Sequence, residues 1–433
     1  QYHNSLYTAS WSKTDHTYTC QKKALAMGLM PIDQALNRLL EKVLKLEAEW
    51  VPTQHALNRV LAQTLFAPKA YPFEDNSAMD GYALQAGAGP WTIVGESAAG
   101  ARFDGIVQAN QAVRIFTGGV VPEGADSILI QEDGCVNGKQ LTTTTTIRIG
   151  QHIRHSGSDL KPDQELIAAG EVLRSSDLSA LAGLGIERLQ CTRKPRITVF
   201  STGDELIPLG QPRQTGQIYD SNALHLTHAA EAAGAQVIHC AHLTDNRQMI
   251  DRALSNQIID SDLILLSGGV SVGDHDHVSA ALSAIGGQLT FYKVAMKPGK
   301  PVAAARVNNC TLLGLPGNPA STMVSFELFA RPVIRRLLGA TQIHRALYKA
   351  PCLKPLPAGG KRHEFLRAKQ TTEGLIPNDR QGSGDLSSLL QVDALVFRPA
   401  LAPPCLAGQT QAYLRLTGPD CEHGPEAQWA NQN

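Results

Sequence analysis

The sequence predicts a multidomain α/β-plus-β protein. A central, mostly parallel α/β sheet unit would be joined by a β-rich insertion, a small helical linking unit and a small C-terminal β unit of barrel-like character. Three observations lead there. Between residues 197 and 320, short apolar runs alternate with amphipathic stretches, the pattern of a parallel sheet covered by helices on both faces. Residues 67–160 instead carry short β-prone runs punctuated by Gly and Pro. Beyond residue 343, Pro-rich connections separate short apolar runs such as 394–397 and 413–416.

A chain of 433 residues has length for about two to four domains. Its 39 basic and 39 acidic side chains balance, so bulk charge points to neither a nucleic acid nor a membrane surface as partner. No apolar run approaches the ~20 residues that would cross a bilayer. The eight cysteines are scattered with no C-x-x-C pair, the usage of a reduced, cytoplasmic protein. Residues 1–28 carry no structural period and no signal pattern. They are expected to be disordered or a non-native extension, with Met27 or Met30 a sensible start.

In chain order, Ile32, Ala35, Leu36, Leu39, Leu40, Val43 and Leu44 fall at helical spacing. A second helix is expected over 54–65, and another at 176–184 before Gly185. With these, 29–66 and 161–192 form the linking unit around the insertion 67–160. Inside the insertion, strands are expected at 91–94, 113–116 and 127–131, and through the threonine-rich stretch 141–149. The central unit, 193–342, then reads as strands at 197–201, 237–240, 263–266, 289–294, 302–307 and 311–315. Helices are expected at 221–233, at 247–255 with Met249, Ile250, Ala253 and Leu254 on one face, from His277 onward, and at 320–338. The C-terminal β unit covers 343–417, and 418–433 reads as a loose polar tail.

Three glycine turns punctuate the central unit: Ser267-Gly268-Gly269-Val270-Ser271-Val272-Gly273, Lys297-Pro298-Gly299-Lys300-Pro301 and Leu315-Pro316-Gly317-Asn318-Pro319. Two of them are strand-to-helix switches, where glycines let backbone N–H groups approach an anion and the helix start favours negative charge. Ligands of such sheets sit beyond the carboxyl ends of the strands. Together the turns suggest a site for a phosphorylated ligand. Lys293, Lys297 and Lys300 would clamp phosphate or another oxyanion, or stand on a solvated turn. Asp80, Asp204, Glu205, Asp245, Asp274 and Asp276 occupy loops, most of them at strand ends. They are either solvated helix caps or a cluster needing a hard divalent cation, Mg²⁺ being the natural choice. His275 and His277 lack the further ligands of a zinc site. Thr117-Gly118-Gly119 and Gly382-Ser383-Gly384 are turns outside the α/β pattern that could present hydroxyl and amide donors in a composite site. The marks of serine hydrolases, P-loop NTPases and Rossmann dehydrogenases are missing.

Taken in order, the runs 75–83, 117–126, 201–206, 216–222, 267–273, 296–301 and 314–319 resemble the molybdopterin molybdenumtransferase (MoeA-type) family, which includes the E domains of gephyrin and its plant counterpart. The resemblance spans residues from about 29 to 417. It implies a central unit of the molybdopterin-binding type and a homodimer whose active site lies between the α/β unit of one subunit and the insertion of the other. It also implies a reaction: adenylylated molybdopterin and molybdate give molybdenum cofactor and AMP, with Mg²⁺ or another divalent cation. Partners would be the molybdopterin adenylyltransferase upstream and cofactor-maturation proteins downstream.

By position, Asp80, Thr117 and Asp159 would come from the insertion. Glu205, Asp245, Asp276, Lys293, Lys297 and Lys300 would come from the α/β unit, and Arg367 and Ser383 from the C-terminal unit. Gly269, Ser271 and the adjoining amides would help hold the pterin phosphate. Ser267, Gly268, Pro316, Gly317 and Asn318, with Thr117, Lys300, Arg367 and Ser383, would bind the cofactor substrate. Glu205, Asp245, Asp276 and Asp159 would hold the metal. Where the family has an Arg-rich stretch with Gly-Glu-Asp, this chain reads Arg154-His155-Ser156-Gly157-Ser158-Asp159. Two rival readings are the adenylyltransferase that makes the substrate and a gephyrin-like scaffold that docks peptides.

Overall fold

The apolar run Leu263–Ser267 is buried along its whole length, as a strand covered on both faces must be. In this structure, a computed structural model that describes residues 28–269, 287–418 and 420–432, that run is the third strand of the central unit. Its strands are β1 (Arg196–Thr202), β2 (Gln236–Leu243), β3 (Leu263–Ser267), β4 (Gln288–Tyr292), β5 (Ala303–Val307) and β6 (Cys310–Leu315). They form one six-stranded sheet in the order β2-β1-β3-β6-β5-β4. The first four are parallel, while β5 runs antiparallel to both β6 and β4. Helices α1 (Asn222–Ala232) and α2 (Arg247–Gln257) connect the early strands. On α2, Ile250 and Leu254 are buried, whereas Met249 lies exposed, outside the face the sequence suggested. The helix expected from His277 falls outside the described residues.

The span expected as one helix over 320–338 is a helix of three parts, α3 (Pro319–Ser325), a π-turn at Phe326–Ala330 and α4 (Arg331–Leu337). Pro332 explains the break. It cannot donate to the carbonyl four residues back and its ring crowds that group, so the preceding turn widens.

Around this unit the chain departs from its periodicity in several places. The first helix is Ile32–Leu40, ending before Val43 and Leu44. Its buried Ile32, Ala35, Leu36 and Leu39 belong to the core of the α/β unit. No helix forms over 54–65. A short 3-10 turn at Thr53–His55 is followed by Asn58 at φ 62°, and Val60 and Leu61 bridge to Val172 and Cys191. Strands Ala48–Pro52 and Arg188–Thr192 pair there, so helix is confined to Ser175–Gly183.

The insertion holds a six-stranded sheet in the order 127–130, 81–84, 111–115, 91–97, 140–142, 135–137. The threonine stretch contributes only Gln140–Thr142. Beyond it, Thr143 Oγ1 donates to Asp133 O at 2.7 Å and accepts from Thr145 N at 3.0 Å, so hydroxyls compete with the ladder and turn the chain.

The C-terminal sheet runs 296–297, 363–370, 394–398, 410–415, 347–351. Strand 375–377, paired with 363–370, bridges through Leu375 to Cys352 just past 347–351, so the strands come round on themselves in the barrel-like way expected. Its first strand, Met296–Lys297, comes from the α/β unit's own lysine turn. Among the described residues no helix is long and apolar enough to cross a membrane.

The tail is not loose. Asp420–Cys421 pairs with His344–Arg345, and Pro425–Gln432 is helical. Its polar composition conceals charges that are buried in pairs: Asp420 accepts from Arg331 Nη2 at 2.7 Å, and Glu426 meets His363 Nε2 at 2.9 Å. Asp33 of the first helix accepts from Ala427 N at 2.7 Å, and its own N–H donates to Glu426 at 3.2 Å. Burial, reinforced by the charge of Glu426, pushes the Asp33 carboxyl up to about 7.

Between about pH 4, where a free aspartate ionises, and about 7, the folded chain therefore keeps a proton that the unfolded chain has released. This group's contribution to stability falls as pH rises through that window and is flat above it. Urea unfolding of the native chain and Asp33→Asn across the window is expected to show the downward slope in the native chain and its loss in the variant. Equal slopes would contradict the assignment.

Candidate active site

Sheet register decides where the site residues lie. One row runs across the sheet through Ala241, Phe200, Leu266, Gly314, Ala303 and Tyr292. The residues just past this row are the turns at 201–205, 242–245, 267–269 and 315–318, together with the lysine turn 293–302. All therefore stand on one edge. The sheet order also fixes their sequence along it. Asp245 and Glu205 lie at the β2–β1 flank, the two glycine turns in the middle, and Lys293, Lys297 and Lys300 at the β5–β4 flank. Five strand spacings of ~4.8 Å separate the outer strands by roughly 24 Å.

The middle is closely built. β1 and β3 are neighbours whose connections leave in opposite directions, the switch point at which doubly wound sheets bind ligands. Gly268, at φ 93°, lies so near β1 that a Cβ would stand 2.6 Å from Thr202 O. A Cβ on Gly317 would meet the Cα of Gly268 at 3.6 Å, so the two turns touch. Asn222, opening α1, ties them together: its Nδ2 donates to Ser267 Oγ at 2.8 Å and to Gly317 O at 2.7 Å. Thr322 Oγ1 holds Pro316 O at 2.5 Å, and Asn318 Nδ2 donates to Ser383 Oγ at 2.9 Å, bringing the C-terminal unit to the cradle. Thr202 Oγ1, beside Gly268, is buried without a hydrogen-bond partner among the described residues. An unpaired hydroxyl at this point suits a polar ligand. Gly269 follows at φ 66°; Ser271 and Asp276 lie outside the described residues.

On the basic flank, Lys297 Nζ meets Glu364 at 3.0 Å, and strand pairing sets the same two residues side by side. Lys293, at φ 63°, holds its Nζ 4.8 Å from the Tyr292 ring. Lys300 is exposed. Among the described residues neither Lys293 nor Lys300 has a carboxylate partner. Beneath this turn, Ser325 Oγ is buried without a hydrogen bond, 2.7 Å from where a Cβ on Gly299 would stand.

Arg367 is fully buried and turned inward. Its Nη2 donates to Gly382 O at 2.9 Å and to Ser388 Oγ at 3.1 Å, so it fixes the loop that presents Ser383. Burial lowers its pKa, against the pull of Asp385.

On the acidic flank Glu205 and Asp245 are exposed, and Asp245 N donates to Asp204 Oδ1 at 3.1 Å. Among the described residues no group of three or more His, Cys, Asp or Glu side chains is close enough to hold a metal by itself.

In the insertion, Asp80 Oδ1 accepts from Thr117 N at 2.7 Å and Thr117 Oγ1 at 2.8 Å, which hold its carboxyl below the usual range. Asp159 is exposed in a neighbouring loop, where its N donates to Tyr71 O at 3.1 Å. In the altered stretch, Ser156 N and His155 Nδ1 bond Asp75 at 2.7 and 2.9 Å. The described contacts gather these groups within the insertion and do not bring them to the sheet edge of the same chain. Sequence reasoning missed Asn222, Thr202, Thr322 and Glu364. Asn222 and Thr202 lie in motif runs and were open to notice; Thr322 and Glu364 carry no local signal.

A switch-point cradle of touching glycine turns, with lysines on one side and carboxylates on the other, places the chain among the doubly wound α/β proteins. Residues 198–336 match the probable molybdopterin binding domain, and residues 30–185 match the MoeA N-terminal region (domain I and II). The molybdopterin molybdenumtransferase of Haemophilus influenzae is 37% identical over 320 residues, which are 72% of this chain and 79% of the relative. That of a Nostoc species is 34% identical over 371 residues, 82% and 85% of the two chains. The molybdopterin biosynthesis moeA protein of Pyrococcus horikoshii OT3 superposes with a TM-score of 0.78 at 26% identity, covering 89% of this chain and 100% of that one. The chain belongs to the molybdopterin molybdenumtransferase family, a family of transferases.

Gly268→Ala would force a side chain onto Thr202 O in a backbone region that favours glycine. It is expected to cost about 1–3 kcal/mol and to weaken AMP binding at least tenfold, read by calorimetry and urea unfolding. Unchanged affinity would remove this turn from the ligand site.

Proposed function

We propose that the protein inserts molybdenum from molybdate into adenylylated molybdopterin, releasing AMP, with a divalent cation required. The observation that carries this reading is the order along the sheet edge: carboxylates, glycine cradle, lysines. An elongated substrate with a phosphoanhydride at its middle, approached by an oxyanion, matches that order.

Each part then has a task. The turns 267–269 and 316–318 offer backbone N–H groups and hydroxyls to phosphate oxygens, and their tight contact excludes water. Lys293, Lys297 and Lys300 offset the negative charge of molybdate, lowering the repulsion between two anions. Glu364 holds Lys297 in place as that happens. Ser383, carried by the loop that Arg367 fixes, closes the cradle from the C-terminal side.

Glu205 and Asp245, with Asp276 and Asp159, would hold Mg²⁺. Two exposed carboxylates at neighbouring strand ends fit an ion that takes one or two protein carboxylates and completes its shell with water and phosphate. When bound, the ion would neutralise charge developing at the phosphoanhydride. In the reaction the P–O bond to AMP breaks, AMP leaves with that oxygen, and an oxygen from molybdate or water takes its place on phosphorus. The two dithiolene thiols of the substrate bind molybdenum as one molybdate oxygen departs, on phosphorus or as water with the thiol protons.

The active form is a homodimer in this reading. Asp80, Thr117 and Asp159 act on the sheet edge of the other subunit, which agrees with an insertion whose contacts do not reach its own. The adenylyltransferase supplies the substrate, and cofactor-maturation proteins take the product.

Glu205→Gln keeps size and removes the charge. AMP release from adenylylated molybdopterin, with molybdate and Mg²⁺ present, is expected to fall about a hundredfold or more. Full activity would take Glu205 out of the mechanism.

A further inference from the structure

A cavity of about 520 Å³ opens near the opposite edge of the central sheet. Its walls include Lys194, just before β1, and Gly234, just before β2. β1 is seven residues long, which at ~3.3 Å per residue places the cavity roughly 23 Å from the glycine cradle. Residues 57–59, 170–172 and 174 of the linking segments, the α/β unit and the tail at Gly418 and Asp420 all contribute to it.

Its charge is unbalanced. Arg59, Arg174, Lys194, Arg331 and Arg335 line it, against Glu171, Glu231 and Asp420. The acids are already engaged. Asp420 meets Arg331 at 2.7 Å and Arg335 at 3.2 Å, Glu171 accepts from Thr341 at 3.2 Å, and Glu231 faces His228 at 3.4 Å. Of the cations, Arg59 pairs with Glu49. Arg174 and Lys194 are exposed and make no ion pair with another described residue. Arg335 is 7% exposed, and its Nε is the atom that meets Asp420, a carboxylate it shares with Arg331.

Behind this wall the imbalance continues. Arg331, Arg335 and Arg345 gather around Asp420, with Glu327 taking Arg345 at 2.8 Å. Three guanidinium groups thus face two carboxylates, with no side chain more than 11% exposed. His344 beside them adds no charge near neutrality, since burial lowers it to about 4 against the pull of Asp420. Burial likewise lowers Arg335, despite Asp420. A buried positive charge without its own counter-ion is costly, and the adjoining cavity is where a counter-ion can enter.

We propose that this cavity is a second anion site, taking a small phosphate monoester whose charge is met by Arg335, Arg174 and Lys194. Guanidinium forks pair with phosphate oxygens two at a time. The volume lies in the range of small-molecule sites and exceeds what a bare oxyanion fills. A ligand there joins the linking segments, α4 and the tail, so occupancy resists unfolding of that joint.

The test is thermal unfolding of the full chain titrated with ribose 5-phosphate and, separately, inorganic phosphate. A saturable rise in Tm is expected, at lower concentration for the ester. Arg174→Ala with Lys194→Ala removes exposed side chains outside the core and is expected to raise the ester's midpoint at least about tenfold. Lys297→Ala with Lys300→Ala is expected to leave it unchanged. The proposal is overturned by a native chain that shows no saturable rise, by a midpoint the first pair does not move, or by one the second pair abolishes. Equal affinity for the two probes would overturn the assignment to an ester.

Discussion

The register of the central sheet is the constraint on which the site depends. Parallel pairing of β2, β1, β3 and β6 sends every strand's carboxyl end to the same edge, and the antiparallel return through β5 and β4 delivers the lysine turn to that edge too. A slip of one residue in any pair would move every side chain of a strand to the opposite face, away from the neighbours it is shaped to meet, so packing on both faces pins the register. Active-site geometry is thus inherited from hydrophobic burial, with no further device needed to bring distant loops together.

The same order keeps opposite charges apart. Carboxylates on one flank and lysines on the other are separated by the width of several strands, so they do not collapse into salt bridges with each other. Lys297, the exception on its flank, is held by Glu364 from the C-terminal sheet. Between the flanks the glycine turns supply neutral donors at close range. Two buried hydroxyls, Thr202 Oγ1 beside the glycine turns and Ser325 Oγ beneath the lysine turn, have no hydrogen-bond partner among the described residues. Buried polar groups in proteins are almost always satisfied, so under the proposed function these two are candidates to meet a ligand's oxygens.

Much of this was legible in the sequence. Strong alternation of apolar runs and helices revealed the α/β unit, and the glycine and lysine turns named the edge on which ligands sit. What the sequence hid is physical in each case. The segment 54–65 has helical spacing, but Asn58 in a left-handed conformation and bridges to 172 and 191 take it elsewhere. The tail is polar because its charges are paired inside the fold, through Asp420 with arginines and Glu426 with His363. Arg367 could be named from the family resemblance, yet only the fold shows its Nε and Nη2 holding the 382–388 loop while Nη1 has no hydrogen bond among the described residues. Asn222 lies 45 residues from Ser267 and 95 from Gly317, and only the closed sheet makes them neighbours.

The most direct measurement is a crystal soaked with AMP and molybdate, with diffraction collected at the molybdenum absorption edge. The account requires the nucleotide phosphate on the turns 267–269 and 316–318 and the anomalous peak beside Lys293, Lys297 and Lys300, on the flank away from Glu205 and Asp245. Phosphate and molybdenum both found off this edge, with the turns left bare, would contradict it.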